Sequence, residues 1–395
     1  MKRKIESVLV LFGGVSVEHE VSCVSARNIV DYLLNEGVEV DIVGIARSGD
    51  WIPFRLDPEL MVSPNWEDLA RAALPETVDS VAVGFADGSS GGSVFHPREV
   101  LRRLCDGRLP QVVFPAVHGI NCEDGTLQGF LEMCGLPYVG SHVTASALCM
   151  DKVKTKRILS SAGLPVCPFV PINRREWRQD PEDCAKSLLE SMEFPLFIKP
   201  SNGGSSVGTQ IVRCREELAD AVETALQYDV EVLAEPYLTK REIEVAVLGN
   251  DYAECLAAGE VVMSENVDYY DYRTKYQDTE EPQSGLAIPP DLPAEMQELA
   301  SRLAAEAYRL LGCHGLARVD FFVLTDAAAR NHEWSRHGLV INEINTLPGF
   351  TPISLYPRAI QYSGLSYGQL VLRLCELALE SFESSRRLET FQPQS

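Results

Sequence analysis

The chain has 395 residues, 45% hydrophobic and 23% charged, with a formal net charge of −22. This is the composition of a globular protein long enough for two or three domains. The strong negative balance argues against nucleic acid and anionic membrane surfaces, which demand basic patches, but leaves room for a nucleotide held by a local cluster of lysines and arginines.

Residues 7–12 form an apolar run, followed by Gly13-Gly14 as a turn. Ser16 is placed to cap a helix starting near Val17 and running to about Asn35. Residues 38–46 read as a second strand, so the chain opens as a βαβ unit of a parallel sheet. The charged start, Met1 to Lys4, precedes too short an apolar run for a signal peptide, and no stretch is long enough to span a membrane. The turn lacks G-x-G-x-x-G, which leaves a dinucleotide fold unsupported. Residues 111–117 give another buried strand ending in His118-Gly119. Residues 48–64 and 87–93 read as surface insertions without chemistry. The eleven cysteines show no C-x-x-C pair or Cys/His ligand spacing, and are expected as reduced thiols of a cytoplasmic protein.

A second unit begins near residue 143 with a helix carried through Met150 to Ala162 and stopped by Gly163. A strand over 195–199 leads into the Gly/Ser-rich run 200–208, then a strand over 210–213, a helix over 216–228 and a strand over 231–235. Glycines let backbone N–H groups approach phosphate oxygens, so Lys199 to Gly208 fits a hairpin over phosphates, although such a run taken alone is more often a plain turn. Lys152 is a second phosphate candidate, with a solvated helix lysine as the alternative. Glu235, Tyr237 and Leu238 end a strand in a connection suited to an adenine wall, and Glu242 is placed to accept from ribose hydroxyls. At the end of the 111–117 strand, His118 reads as a ligand contact, while Glu123 and Asp124 read as caps of the next helix. Glu18 has both readings.

A third unit starts with a strand over 242–248. Residues 264–293 lose all periodicity and read as a lid or binding loop. A helix over 294–311 follows, then two strands with chemistry. Arg318 and Asp320 share a face of the first, and Glu343 and Asn345 share a face at the end of the second. Carboxylates and an amide are hard oxygen ligands that suit Mg²⁺ on phosphates, and the arginine suits charge developing on a transferring group. The last helix is expected over 367–381, with a polar, disordered tail.

In this order the motifs resemble one family, the D-alanine–D-alanine ligases of the ATP-grasp superfamily. The matching runs are Gly13-Gly14 with Ser16, Glu18, Glu20-Val21-Ser22; His118-Gly119 with Glu123-Asp124-Gly125; Met150-Asp151-Lys152; Lys199-Pro200 with Gly204-Ser205-Ser206-Val207-Gly208; Tyr270-Asp271-Tyr272 with Lys275-Tyr276; Arg318 with Asp320; and Asn342-Glu343 with Asn345-Thr346, Pro348-Gly349. Two positions depart from the pattern: Cys122 stands where the family has Gly, and Pro236 follows Glu235 where many members have a donor side chain.

The resemblance implies a three-domain α/β (α+β) ATP-grasp fold with an N-terminal parallel-sheet domain. Its parts would be a substrate-binding domain over 1–142, a central subdomain over 143–238, a C-terminal subdomain over 239–382 with the lid, and a tail over 383–395. It implies ATP-dependent joining of two D-alanines through a D-alanyl phosphate, for peptidoglycan precursors, by a homodimer. It further implies two Mg²⁺ or Mn²⁺ ions on Asp320, Glu343 and Asn345, and phosphate contacts from Lys152, Lys199, Ser206 and Lys275. Tyr269, Glu235, Tyr237, Leu238 and Glu242 would hold the nucleoside. Arg318 and the Gly349 N–H would be oxyanion donors, with Glu18 and His118 beside the first D-alanine and Ser354 on the carboxylate of the second. Ser205, Tyr276 and Glu18 would form a hydrogen-bond chain. A depsipeptide ligase joining D-alanine to D-lactate is the nearest alternative, discriminated at Lys275-Tyr276. A catalytically silent ATP-binding regulatory module would have lost a metal ligand or Arg318, and both are present.

Overall fold

The computed structural model describes residues 4–74, 97–263, 284–325 and 332–386. Contacts group the chain into two compact units, Met1–Val143 with Gly349–Pro357 and Leu365–Ser395, and Thr144–Pro348 with Arg358–Gly364.

The first unit is built on β1 (Ser7–Gly13), α1 (His19–Asn35), β2 (Glu39–Ile45), β3 (Trp51–Pro53), α2 (Trp66–Ala72), α3 (Pro97–Leu104), β4 (Val112–Pro115) and α4 (Thr126–Cys134). Its sheet has the order β3-β2-β1-β4, with β1 parallel to both β2 and β4. β1 is buried along almost its whole length, as expected of a central parallel strand covered on both faces. The insertion expected over 48–64 is partly ordered: β3 pairs antiparallel with β2, and a 3-10 turn spans Pro58–Val62. The insertion at 87–93 lies outside the described residues.

The C-terminal segments join this unit through aromatic contacts. The Phe350 ring meets Phe114 edge-on at 5.9 Å, and Tyr367 stacks on Tyr32 at 4.6 Å. The last helix runs over Tyr367–Arg386, past the expected end at Ser381, and the rest of the expected tail lies outside the described residues.

The second unit contains α5 (Val143–Met150), α6 (Lys152–Ser161), β5 (Val170–Asn173), α7 (Arg174–Gln179), α8 (Pro181–Ser191), β6 (Leu196–Pro200), β7 (Gln210–Val212), α9 (Arg215–Ala225), β8 (Glu231–Pro236), β9 (Lys240–Gly249), β10 (Glu254–Met263), β11 (Ser284–Ala287), α10 (Ala294–Leu310), β12 (Gly315–Leu324) and β13 (Leu339–Asn345). It begins a residue into α5. The single helix expected through 150–162 is two, because Asp151 leaves helical geometry to cap α6, its carboxylate accepting from the Lys154 N–H. The aperiodic stretch expected over 264–293 is ordered at its end, where β11 pairs with β10. Residues 264–283 lie outside the described residues, and with them the lid, Tyr269, Lys275 and Tyr276.

Two antiparallel sheets result. The smaller has the order β5-β8-β6-β7, and the larger β11-β10-β9-β12-β13. The larger sheet buries one face: Val245, Val247, Val319, Phe321, Ile341 and Ile344 pack with Leu303, Ala304, Ala307 and Tyr308 of α10. Alternation then puts the polar residues of the same strands on the opposite face.

Candidate functional site

That opposite face gathers the charges expected from the sequence. Across β12 and β13, Arg318 lies opposite Asn345 and Asp320 opposite Glu343. The register to β9 sets Glu244 opposite Asp320. Three carboxylates therefore stand in one row over three adjacent strands. Arg318 bridges two of them, Asp320 and Glu244. Its Nε and Nη2 each donate to Asp320 at 2.7 Å, and its Nε lies 3.0 Å from Glu244. Burial, helped by Glu244 and Glu343, pushes Asp320 up to about 7 against the lowering pull of Arg318. Burial would lower Arg318, but Asp320 and Glu244 raise it well above its usual value, so it stays charged.

A register shift after Asp320 makes β13 bulge at Asn342, since Asp320 pairs with Glu343 and Phe321 with Ile341. A bulge frees one residue from the alternation and re-aims side chains. Here Asn342 Oδ1 accepts from Lys199 Nζ at 3.4 Å, while Glu343 lies 3.8 Å from Lys152 Nζ. Lys152 also donates to the Gly203 carbonyl at 2.6 Å, tying the first residue of α6 to the glycine-rich hairpin.

That hairpin joins β6 and β7 as expected. Ser205 (φ 51°) and Ser206 (φ 57°) both have positive φ, which turns the chain tightly between the two strands.

The Glu235 side chain departs from the adenine-wall expectation. It is 3% exposed, and its carboxylate bridges two ammonium groups, Lys156 on Oε1 at 2.7 Å and Lys199 on Oε2 at 2.6 Å. Burial alone would raise it, but the two lysines outweigh that and hold it at about 2. A carboxylate depressed from 4.5 contributes stability that is complete above 4.5 and lost as the pH falls through about 2. At neutral pH the parent should exceed Glu235→Gln by about 3 kcal/mol. The gap in melting temperature should narrow between pH 4.5 and 2; a gap independent of pH over that window would exclude the ionised bridge.

Leu238 packs on Cys167, Phe322, Leu324 and Val340, an apolar surface suited to a base. The Tyr237 N–H is used by the Pro195 carbonyl at 2.9 Å. Glu242 is paired to Lys240 at 3.0 Å, and the Lys240 ammonium lies 3.3 Å over the Phe322 ring.

In the first unit the candidates lie at the carboxyl ends of parallel strands β1 and β4. α1 starts at His19 rather than near Val17, which makes Glu18 its N-cap residue. Ser16 does not cap α1: its hydroxyl donates to the His118 carbonyl at 2.7 Å and accepts from the Glu18 N–H at 3.2 Å. The expected pair of caps at 123 and 124 divides. Asp124 accepts from the Thr126 N–H at 3.0 Å, at the start of α4. Glu123 instead accepts from the Gly119 N–H at 3.1 Å and lies 3.7 Å from His118 Nδ1. His118 Nε2 is 3.5 Å from the Ser25 hydroxyl. Burial raises the Glu123 carboxyl, against His118 and with Glu18. Gly119 has φ 79°, and a Cβ there would meet Ser16 at 2.7 Å and Glu18 Oε2 at 3.4 Å, so glycine is required where these side chains converge. Cys122, in place of the family's glycine, is buried in the core of this unit, while the left-handed positions of the run fall on Gly119, Asn121 and Gly125. Ser354 closes a turn with Thr351, their hydroxyls 2.8 Å apart, just after Gly349.

Residue-by-residue reading missed Glu244 and Lys156. Each carried a signal: Glu244 is two residues from Glu242 on an apolar strand, and Lys156 is one helical turn from Lys152.

Asp320, Glu343 and Asn345 are an oxygen-only donor set on one face of adjacent strands, which fits a hard divalent cation. No group of three His, Cys, Asp or Glu that could hold a metal by itself occurs among the described residues.

Comparison with known proteins gives one family throughout. Residues 7–141 match the family described as D-ala D-ala ligase N-terminus, and residues 158–376 that described as D-ala D-ala ligase C-terminus. The D-alanine--D-alanine ligase A of Escherichia coli is 41% identical over 384 residues, covering 96% of this chain and 98% of that protein. The D-alanine--D-alanine ligase of Ruminiclostridium cellulolyticum is 39% identical, covering 96% and 97%. Among solved structures, the D-alanine-D-alanine ligase from Coxiella burnetii has a TM-score of 0.77 at 32% identity, covering 98% of this chain and 97% of that one. The VanG D-Ala:D-Ser ligase from Enterococcus faecalis has a TM-score of 0.74 at 32% identity, covering 95% and 100%.

Proposed function

The chain belongs to the D-alanine–D-alanine ligase family, and we propose that it joins two D-alanine molecules into D-alanyl-D-alanine at the expense of ATP, for peptidoglycan precursor synthesis. The carboxylate of the first D-alanine attacks the γ-phosphorus, ADP leaves, and a D-alanyl phosphate forms. The amine of the second attacks its carbonyl carbon, a proton is lost from the nitrogen, and inorganic phosphate leaves.

The observation that carries this reading is the polar face of β9, β12 and β13, with lysines from α6 and β6 beside it. Lys152, Lys199 and the hairpin with Ser205 and Ser206 bind the phosphates. Glu242 takes the ribose and Leu238 the base, with Tyr237 beside them; Glu235 acts on the phosphate side through Lys199. Arg318, charged and fixed by two carboxylates, meets the negative charge that develops on the carbonyl oxygen, together with the Gly349 N–H. Asp320, Glu343 and Asn345 would hold two Mg²⁺ or Mn²⁺ ions, which when bound neutralise phosphate oxygens. Glu18 pairs with the ammonium of the first D-alanine, His118 lies beside it, and Ser354 holds the second carboxylate. Tyr269, Lys275 and Tyr276 keep the roles that the family resemblance implies.

We assign the substrate side to residues 1–142, the phosphate hairpin to 143–238 and the metal strands to 239–382, in a homodimeric protein of the cytoplasm. The eleven cysteines, all free thiols, support that compartment. No described helix is long and apolar enough to cross a membrane.

The direct test is phosphate release from ATP with a panel of amino acids. D-alanine should stand out and L-alanine be inert. Product analysis with D-alanine plus D-lactate or D-serine decides the acceptor; a dominant depsipeptide or D-alanyl-D-serine product would replace the dipeptide reading.

A further inference from the structure

Among the described residues, Lys156 is a charged group that the proposed reaction leaves without a role. Its side chain is fully buried, and its ionic partner among the described residues is Glu235, at 2.7 Å. It lies one turn beyond Lys152 on α6, so the two share a helix face, but Lys152 reaches the hairpin and Glu343 whereas Lys156 turns to the buried side. Burying an ammonium is costly, and an apolar side chain of the same length would fill the space without that cost. What Lys156 adds is charge.

The charge count shows where it acts. Glu235 gives one carboxylate oxygen to Lys156 and the other to Lys199. With both lysines present, the trio carries one net positive charge. Without Lys156, Glu235 and Lys199 would form a closed neutral pair, and the positive field of Lys199 would be cancelled within a region of low dielectric, where fixed charges act strongly.

We infer that Lys156 is a positioning residue for nucleotide binding: by neutralising Glu235 from the buried side, it lets that carboxylate hold Lys199 in place while leaving Lys199 a net charge to offer the phosphates. Lys156 itself does not touch the nucleotide. The low value of Glu235 agrees with a carboxylate held by two cations. The inference rests on the assignment of Lys199 to the nucleotide phosphates.

The test is steady-state phosphate release with ATP and D-alanine, with melting temperatures recorded alongside, for the full-length parent and four variants: Lys156→Met, Glu235→Gln, the double Lys156→Met/Glu235→Gln, and Lys199→Met. Lys156→Met should raise the KM for ATP on the order of tenfold, with kcat within about twofold, because the loss is of ground-state charge. The double variant should bring the KM back to within about threefold of the parent, since Lys199 then faces a neutral amide and regains its charge. A packing role would not produce this recovery, so a double variant as impaired in KM as Lys156→Met overturns the inference. Should Lys156→Met not fold, the double is read against Glu235→Gln: a KM within about threefold supports the charge role, and one raised tenfold or more overturns it. Lys199→Met separates the two levels. If it raises the KM for ATP while Lys156→Met does not, the inference alone fails. If it leaves the KM unchanged, the assignment of Lys199 fails and the inference with it.

Discussion

The Glu343→Gln variant should lose ligation by a factor on the order of 10² or more, while nucleotide binding stays measurable. Glu343 stands directly opposite Asp320 on the neighbouring strand, and the bulge at Asn342 sets it 3.8 Å from Lys152. It is the position on this face where a carboxylate can serve a cation and a phosphate-binding lysine together. A glutamine keeps the size but offers one neutral oxygen, a poor ligand for a hard divalent ion. Lys199, the hairpin and the apolar surface at Leu238 are untouched, which is why ADP binding by calorimetry should persist. Turnover at saturating Mg²⁺ within about threefold of the parent, a change under 1 kcal/mol, would remove Glu343 from the metal site.

Arg318→Ala should lower kcat on the order of 10²-fold or more, with a much smaller rise in the KM for ATP. Its guanidinium is locked by both oxygens of Asp320 and by Glu244, so the transition state finds the donor already oriented. The same contacts predict a second loss. Removing the cation leaves buried carboxylates without their partner, a change that typically costs about 3–5 kcal/mol, so the melting temperature should fall. Arg318→Lys separates the effects, because it keeps the charge but cannot make the planar fork to Asp320. Recovered stability with kcat still depressed would show the oriented guanidinium at work. A pure KM effect in either variant would reassign Arg318 to ground-state nucleotide binding.

Much of this protein is written locally. The βαβ start, the hairpin over 200–208, the helix over 294–310 and the strand pair bearing Arg318, Asp320, Glu343 and Asn345 all follow from apolar periodicity and glycine placement. The sharing of a face by residues two apart is a property of any strand, so the site's oxygen donors were legible before any sheet was known. The alternation also carried Glu244, but nothing local says that β9 lies beside β12 in the register that sets Glu244 against Asp320.

Other features belong to the tertiary structure alone. The bulge at Asn342 depends on the partner strand β12. The division of Glu123 and Asp124 into a histidine partner and a helix cap depends on where His118 stands. Glu235 reads in sequence as the end of a strand in a nucleotide-binding connection. Its actual partners, Lys156 and Lys199, come from a helix and a neighbouring strand distant along the chain. The sequence alone determines periodicity, turns and residue chemistry, because these act over a few neighbouring residues. Which charge meets which is decided by packing, because a buried charge must be neutralised by whatever the fold brings within a few ångströms, whatever its distance along the chain.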